Sequence, residues 1–157
     1  MRPAARAPYS YQAIPDLPPF GQALDQDRVL LVMDGDCALC SGAARRIAAL
    51  DRRNRIRITP AQSALGRALL AHYDLAPDDP TSWLMIRNGQ AWGSLDAMIR
   101  LGALLHPLLW VLNVARILPV PLQDWLYARL ARNRYRLFGR DDLCAMPSPA
   151  LKRRLVE

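Results

Sequence analysis

The hydrophobic pattern of the chain changes rhythm several times, and each change marks an element. Val29 to Met33 is an unbroken apolar run of strand length, which predicts a strand buried on both faces of a central sheet. Asp34-Gly35-Asp36 supplies the turn that ends it. From Cys37 to about Arg52 the period becomes helical: Cys37, Cys40, Ala44, Ile47 and Ala48 share one face, while Arg45, Arg46, Arg52 and Arg53 point elsewhere. Asn54 breaks that helix, and Arg55-Ile56-Arg57-Ile58-Thr59 alternates strictly, predicting a half-exposed strand. Pro60 is expected to open a second helix with Leu65, Ala68, Leu69 and His72 on one face, where His72 reads as a hydrogen-bonded packing residue rather than a base.

Two short alternating runs, Trp83 to Arg87 and Gln90 to Gly93, flank Asn88-Gly89. That dipeptide suits the two positive φ angles of a type I′ turn and predicts a β-hairpin. Ser94 begins a helix to about Leu105, with Asp96 near its positive end. Pro107, Pro119 and Pro121 punctuate two further helical stretches, about 108–117 and 122–132, and an Arg/Tyr-rich segment follows up to Gly139. The order strand, helix, strand, helix, hairpin, helix is the layer plan of a thioredoxin-like α/β core. It gives a mixed sheet with helices on both faces, here with additional C-terminal helices.

Residues 1–27 carry five of the 13 prolines and little periodicity, so they read as an extended or disordered lead-in, and 28–157 as one domain. A chain of 157 residues, 52% hydrophobic, supports one core. The net charge is +7, and all but one of the 21 basic residues are arginine, Lys152 being the exception. This favours anionic partners, but the charge is spread over Arg45 to Arg57, Arg129 to Arg140 and the tail Lys152-Arg153-Arg154, with no nucleic-acid-reading motif beside it. Met1-Arg2 is not followed by the apolar core of a secretory signal, so a cytoplasmic location is expected. The apolar stretch Leu101 to Leu118 is interrupted by His106, Pro107, Asn113 and Arg116 and is expected to be buried helix rather than a membrane span.

The chemistry lies where the first strand meets the first helix. Cys37 and Cys40, three residues apart on a first helical turn, can close a small disulfide, and helix-terminal N–H groups stabilise a thiolate there. Cys37 is expected to be the exposed nucleophile and Cys40 its resolving partner. Asp34 has two readings, a proton shuttle for the resolving thiol or a turn and cap residue. Cys144 is left over and reads as a small semi-buried apolar residue.

Asp34-Gly35-Asp36-Cys37-Ala38-Leu39-Cys40 also resembles the signature of the DCC family of predicted thiol-disulfide oxidoreductases. The resemblance extends through Gln62-Ser63, Gly66 to Leu70, Ser94 and Ala97 and the run Arg132 to Arg140, covering about 29–150. It places the family's defining positions on Asp34, Cys37 and Cys40. It implies the same redox pair; exchange with a protein or low-molecular-weight thiol and an upstream thiol reductant are expected, and the residues imply no metal or organic cofactor. Asp36 and Ala38-Leu39 stand where thioredoxin proper has Trp and Gly-Pro, and the position of thioredoxin's cis-proline falls on Thr81, one residue after Pro80.

Three rivals share these residues. A haloacid-dehalogenase-type phosphatase motif is suggested by Asp34-Gly35-Asp36, but Ala38 stands where Thr or Val is wanted. A structural zinc site would need ligands beyond Cys37 and Cys40, and only Cys144, His72 and His106 remain, widely scattered. A non-catalytic thioredoxin-like binding module would use the Arg-rich surface for an acidic partner.

Overall fold

The structure, a computed structural model, describes residues 28–76, 81, 83–88, 90–141 and 147–156. The lead-in 1–27, Pro80, Gly89 and Cys144 lie outside the described residues.

Strand β1 (Val29–Met33) is buried along its whole length, as a continuous apolar run requires. It lies inside a four-stranded sheet of order β2-β1-β3-β4, parallel to β2 (Ile56–Pro60) and antiparallel to β3 (Leu84–Arg87), which pairs in turn with β4 (Gln90–Trp92). Asn88 has φ 50°, the left-handed conformation the hairpin turn demanded.

Alternation along β1 divides the core in two. Val29, Leu31 and Met33 face α1 (Ala38–Leu50), α3 (Ser94–Leu105) and α5 (Pro149–Lys152), packing on Ala44, Ile47, Ala97 and Leu151. Leu30 and Val32 face α2 (Ala64–His72), packing on Leu65, Leu69 and Leu70. Each such fully buried side chain contributes about 1.5–3 kcal/mol relative to exposure. The result is the thioredoxin-like α/β core, with α4 (Val120–Phe138) laid across α1 and α3 as an added helix.

Three local expectations are corrected. Pro60 closes β2 rather than opening a helix; α2 starts at Ala64, capped by Ser63, whose hydroxyl accepts from the Gly66 N–H at 2.9 Å. Gly66 is required there, since a Cβ would fall 2.0 Å from the Pro60 carbonyl oxygen.

Strand β2 is buried rather than half-exposed, because the C-terminal segment covers its outer edge: Ile58 N–H donates to Arg154 O at 2.8 Å and Val156 N–H to Ile58 O at 2.9 Å. The tail arginine Arg154 is therefore buried, and it pairs with Asp51 at 3.1 Å.

The second half of the Leu101 to Leu118 stretch is a 3-10 segment, Pro107–Ile117, with an exposed apolar surface rather than a buried helix; Trp110 is 68% and Ile117 76% exposed. No helix among the described residues is long and apolar enough to cross a membrane.

Candidate active site

The turn after β1 sets Cys37 at the N-cap of α1 with extended backbone, φ −102° and ψ 121°, and places Cys40 in the first helical turn. The helix dipole directs its positive end at Cys37. Both cysteines are free thiols. Cys37, expected to be exposed, is instead fully buried while Cys40 keeps partial exposure.

The cover over Cys37 comes from the chain beyond α4. Gly139, at φ 79°, turns the backbone in a conformation that L side chains rarely adopt, and Arg140 then forms an antiparallel bridge with Cys37. Ala38 N–H donates to Gly139 O at 3.3 Å, Asp141 N–H to Asp36 O at 3.2 Å and Ser41 Oγ to Asp141 O at 3.2 Å. An exposed ion pair from Arg45 to Asp141, 2.9 Å, fastens the outer side.

The Cys40 side chain lies next to Cys37. Burial pushes Cys40 up to about 12, proximity of Cys37 adds to the rise, and the Arg134 charge opposes it. Cys40 therefore holds its proton at neutral pH.

Cys40 borders a cavity of about 280 Å³ between α1, α3 and α4. Ala43 and Ile47, Leu101 and Leu105, Leu130 and Trp83 form most of its wall, and Asp34, Cys40 and Arg134 supply polar groups.

Asp34 is buried beside this cavity and saturated with donors. Its Oδ1 accepts from the Asp36 N–H at 2.9 Å and from Gln62 Nε2 at 2.8 Å, while its Oδ2 accepts from Arg134 Nη2 and from the Tyr135 hydroxyl. Burial alone would raise this carboxyl, but the bonds from Tyr135, the Asp36 N–H and Gln62, with the Arg134 charge, hold it below the usual carboxylate value. Burial and then the bond to Asp34 raise the Tyr135 phenol, which keeps it a donor. Gln62 also accepts from the Gly35 N–H at 3.0 Å, fixing the turn from the other side.

The structure thus brings Asp34, Cys37 and Cys40 together and adds Arg134, Tyr135 and Gln62. The Arg/Tyr-rich segment reads from sequence as a packed helix end with a solvated charged rim, yet Arg134 is turned inward and buried. Its signal was present in the helical spacing: Gln123, Tyr127, Ala131 and Arg134 recur at four, four and three residues and define the inward face of α4. His72 is half-buried and meets Tyr73 edge-on, with ring centroids 4.9 Å apart, away from the cysteines. Among the described residues no three His, Cys, Asp or Glu side chains are grouped so as to hold a metal ion.

A Cys-x-x-Cys pair at the head of the helix that follows the first strand of such a sheet defines a thioredoxin-like dithiol protein. The chain belongs to the DCC1-like thiol-disulfide oxidoreductase family, whose model matches residues 31–140. It is 37% identical over 132 residues to the uncharacterized protein YuxK of Bacillus subtilis (strain 168), covering 83% of this chain and 94% of that one. It is 30% identical over 123 residues to a chloroplastic DCC family protein of Arabidopsis thaliana, covering 78% of this chain and 72% of the relative. No solved structure matches it.

Proposed function

We propose that the protein exchanges a Cys37–Cys40 dithiol/disulfide with thiol substrates, with Cys40 carrying the mixed disulfide and Cys37 as its internal partner. The observation that carries this reading is the asymmetry of the pair: one thiol borders a cavity and the other is sealed beside it at a helix N-terminus. A buried Cys37 is no obstacle in this scheme, because it needs to reach only the sulfur of Cys40. Attack on the Cys40 sulfur of the disulfide expels Cys37 as a thiolate at the positive end of α1, the better place for the departing charge. In the reverse direction the Cys37 thiolate attacks a mixed disulfide on Cys40 and releases the substrate.

Asp34 acts as a positioning residue. A carboxylate held by four donors and kept ionised is a poor proton acceptor, and its place is to orient Arg134 at the cavity beside Cys40. The scheme needs no metal or organic cofactor, only a second thiol system to reset the pair. A cytoplasmic location remains part of this proposal.

The test is a redox titration of the purified protein in dithiol/disulfide buffers, with free thiols alkylated and counted by mass. A reversible two-electron transition, lost in Cys37→Ser and in Cys40→Ser, is expected. Cys37→Ser should accumulate mixed disulfides on Cys40, whereas Cys40→Ser should trap none. Trapping on Cys37 in Cys40→Ser would reverse the roles, and failure to form the disulfide at all would end the exchange reading.

A further inference from the structure

The wall of the cavity beside Cys40 is chemically one-sided. Ala43, Ile47, Leu101, Leu105 and Leu130 offer only carbon, and Trp83 adds an indole face. The Trp83 N–H is buried in the wall and finds no acceptor among the described residues. A polar, charged thiol would gain nothing from such walls and would lose its hydration on entering. An apolar group gains on every carbon it buries.

The volume sets the size. At about 30 Å³ per water-sized group, 280 Å³ holds roughly nine such groups, a chain or ring rather than a folded segment of another protein. Arg134 borders the cavity together with Cys40, and its charge favours negative charge arriving at that sulfur. Met98 and Leu130, both of which line the cavity, also keep partly exposed surface, so the approach is apolar too.

Resting on the exchange reading above, we propose that this cavity binds the apolar tail of a small-molecule thiol and delivers its thiolate to Cys40 of the Cys37–Cys40 disulfide, making the protein an oxidant of apolar thiols. The substrate sulfur bonds to Cys40 Sγ, the Cys37–Cys40 bond breaks, and its electron pair leaves on Cys37, which takes a proton. A second thiolate of the same kind attacks the substrate sulfur, the product departs as a disulfide, and Cys40 takes the second proton. Two thiols lose two electrons and the protein disulfide gains them; a disulfide of the surrounding thiol pool restores the protein by ordinary exchange.

The test uses the oxidised full chain with straight alkanethiols from propyl to octyl, and glutathione as the polar comparison, following the appearance of protein thiols. The rate should climb by up to about fourfold per added methylene until the cavity is filled. Ala43→Phe, which fills the cavity, should flatten that climb, as should Leu130→Trp at its mouth should the first variant fold poorly. In a separate arm, octan-1-ol, which carries no thiol, should shield Cys40 of the reduced protein from excess iodoacetamide at about pH 9.5, where enough of the thiol ionises to be alkylated slowly. Exchange at one rate for every chain length, with no shielding, leaves the exchange reading standing and overturns this inference. Shielding with no thiol reacting overturns the exchange reading and the delivery step with it.

Discussion

Asp34 and Asp51 invite comparison, because each is a buried carboxylate at the end of a secondary element and each takes a buried arginine from about a hundred residues later. Asp51 sits at the C-terminus of α1. It accepts from the Arg55 N–H at 3.1 Å, the Ile56 N–H at 3.0 Å and Arg154 Nε, while Arg154 also donates to the Asp51 and Ala150 carbonyls. Every partner there is backbone or the other half of the pair, so the assembly ties the start of β2 to the C-terminal segment and touches no reactive group. Asp34 uses the same chemistry beside a cavity and a thiol, with side-chain donors Gln62, Arg134 and Tyr135. One ion pair joins chain segments and the other shapes a site. The difference lies in what surrounds the pair rather than in the pair.

The sharpest way to break the comparison is to remove one partner from each. Arg154→Met leaves the Asp51 carboxylate buried without its cation and should cost about 3–5 kcal/mol in urea unfolding, with exchange per folded molecule unchanged. Arg134→Met should destabilise in the same direction and, unlike Arg154→Met, slow thiol exchange at Cys40, since the nearby positive charge is gone. An equal effect of the two variants on exchange would erase the distinction.

Asp34→Asn sharpens it through pH. The folded carboxyl titrates below its ordinary value of 3.8, so its contribution is present above that pH and is lost as pH falls through the lower folded value. Wild-type stability should therefore fall off in acid below about pH 4 more steeply than that of Asp34→Asn. Cys40 gives the alkaline counterpart. Its folded value is raised from 9.0 to about 12, so stability should decline from pH 9 upward as the unfolded chain ionises first, and this decline should be weaker in Cys40→Ser. Thiolate absorbance and unfolding midpoints against pH read both. The smallest effect is expected from Tyr135→Phe, which removes one donor from a charged acceptor and should cost about 1.5–3 kcal/mol or less, leaving the acid profile shifted toward higher pH.

What could be read from the sequence follows the range of each interaction. Strand β1, the Asn88 turn, α3 and the placement of Cys37 and Cys40 at a helix start are encoded by neighbours, and periodicity finds them. The burial of β2 is not legible locally because its cover, Arg154 to Val156, lies about a hundred residues further along the chain. Arg134 and Arg154 read as surface charges because an arginine declares its partner only through the fold. The sealing of Cys37 depends on Gly139 and Arg140, again a long-range contact. The apolar run after Leu105 reads as buried because hydropathy ignores whether anything lies opposite; in this structure Leu108, Trp110 and Ile117 face outward.

The tail that completes β2 has a consequence for the order in which the protein can be assembled. During synthesis β2 and Asp51 emerge long before their last partners, and until residues 150–156 arrive, the strand keeps an open edge and the carboxylate lacks its cation. The nascent domain can collapse around β1 but cannot finish. A chain interrupted before Ala150 would leave the outer edge of β2 open for pairing with other copies.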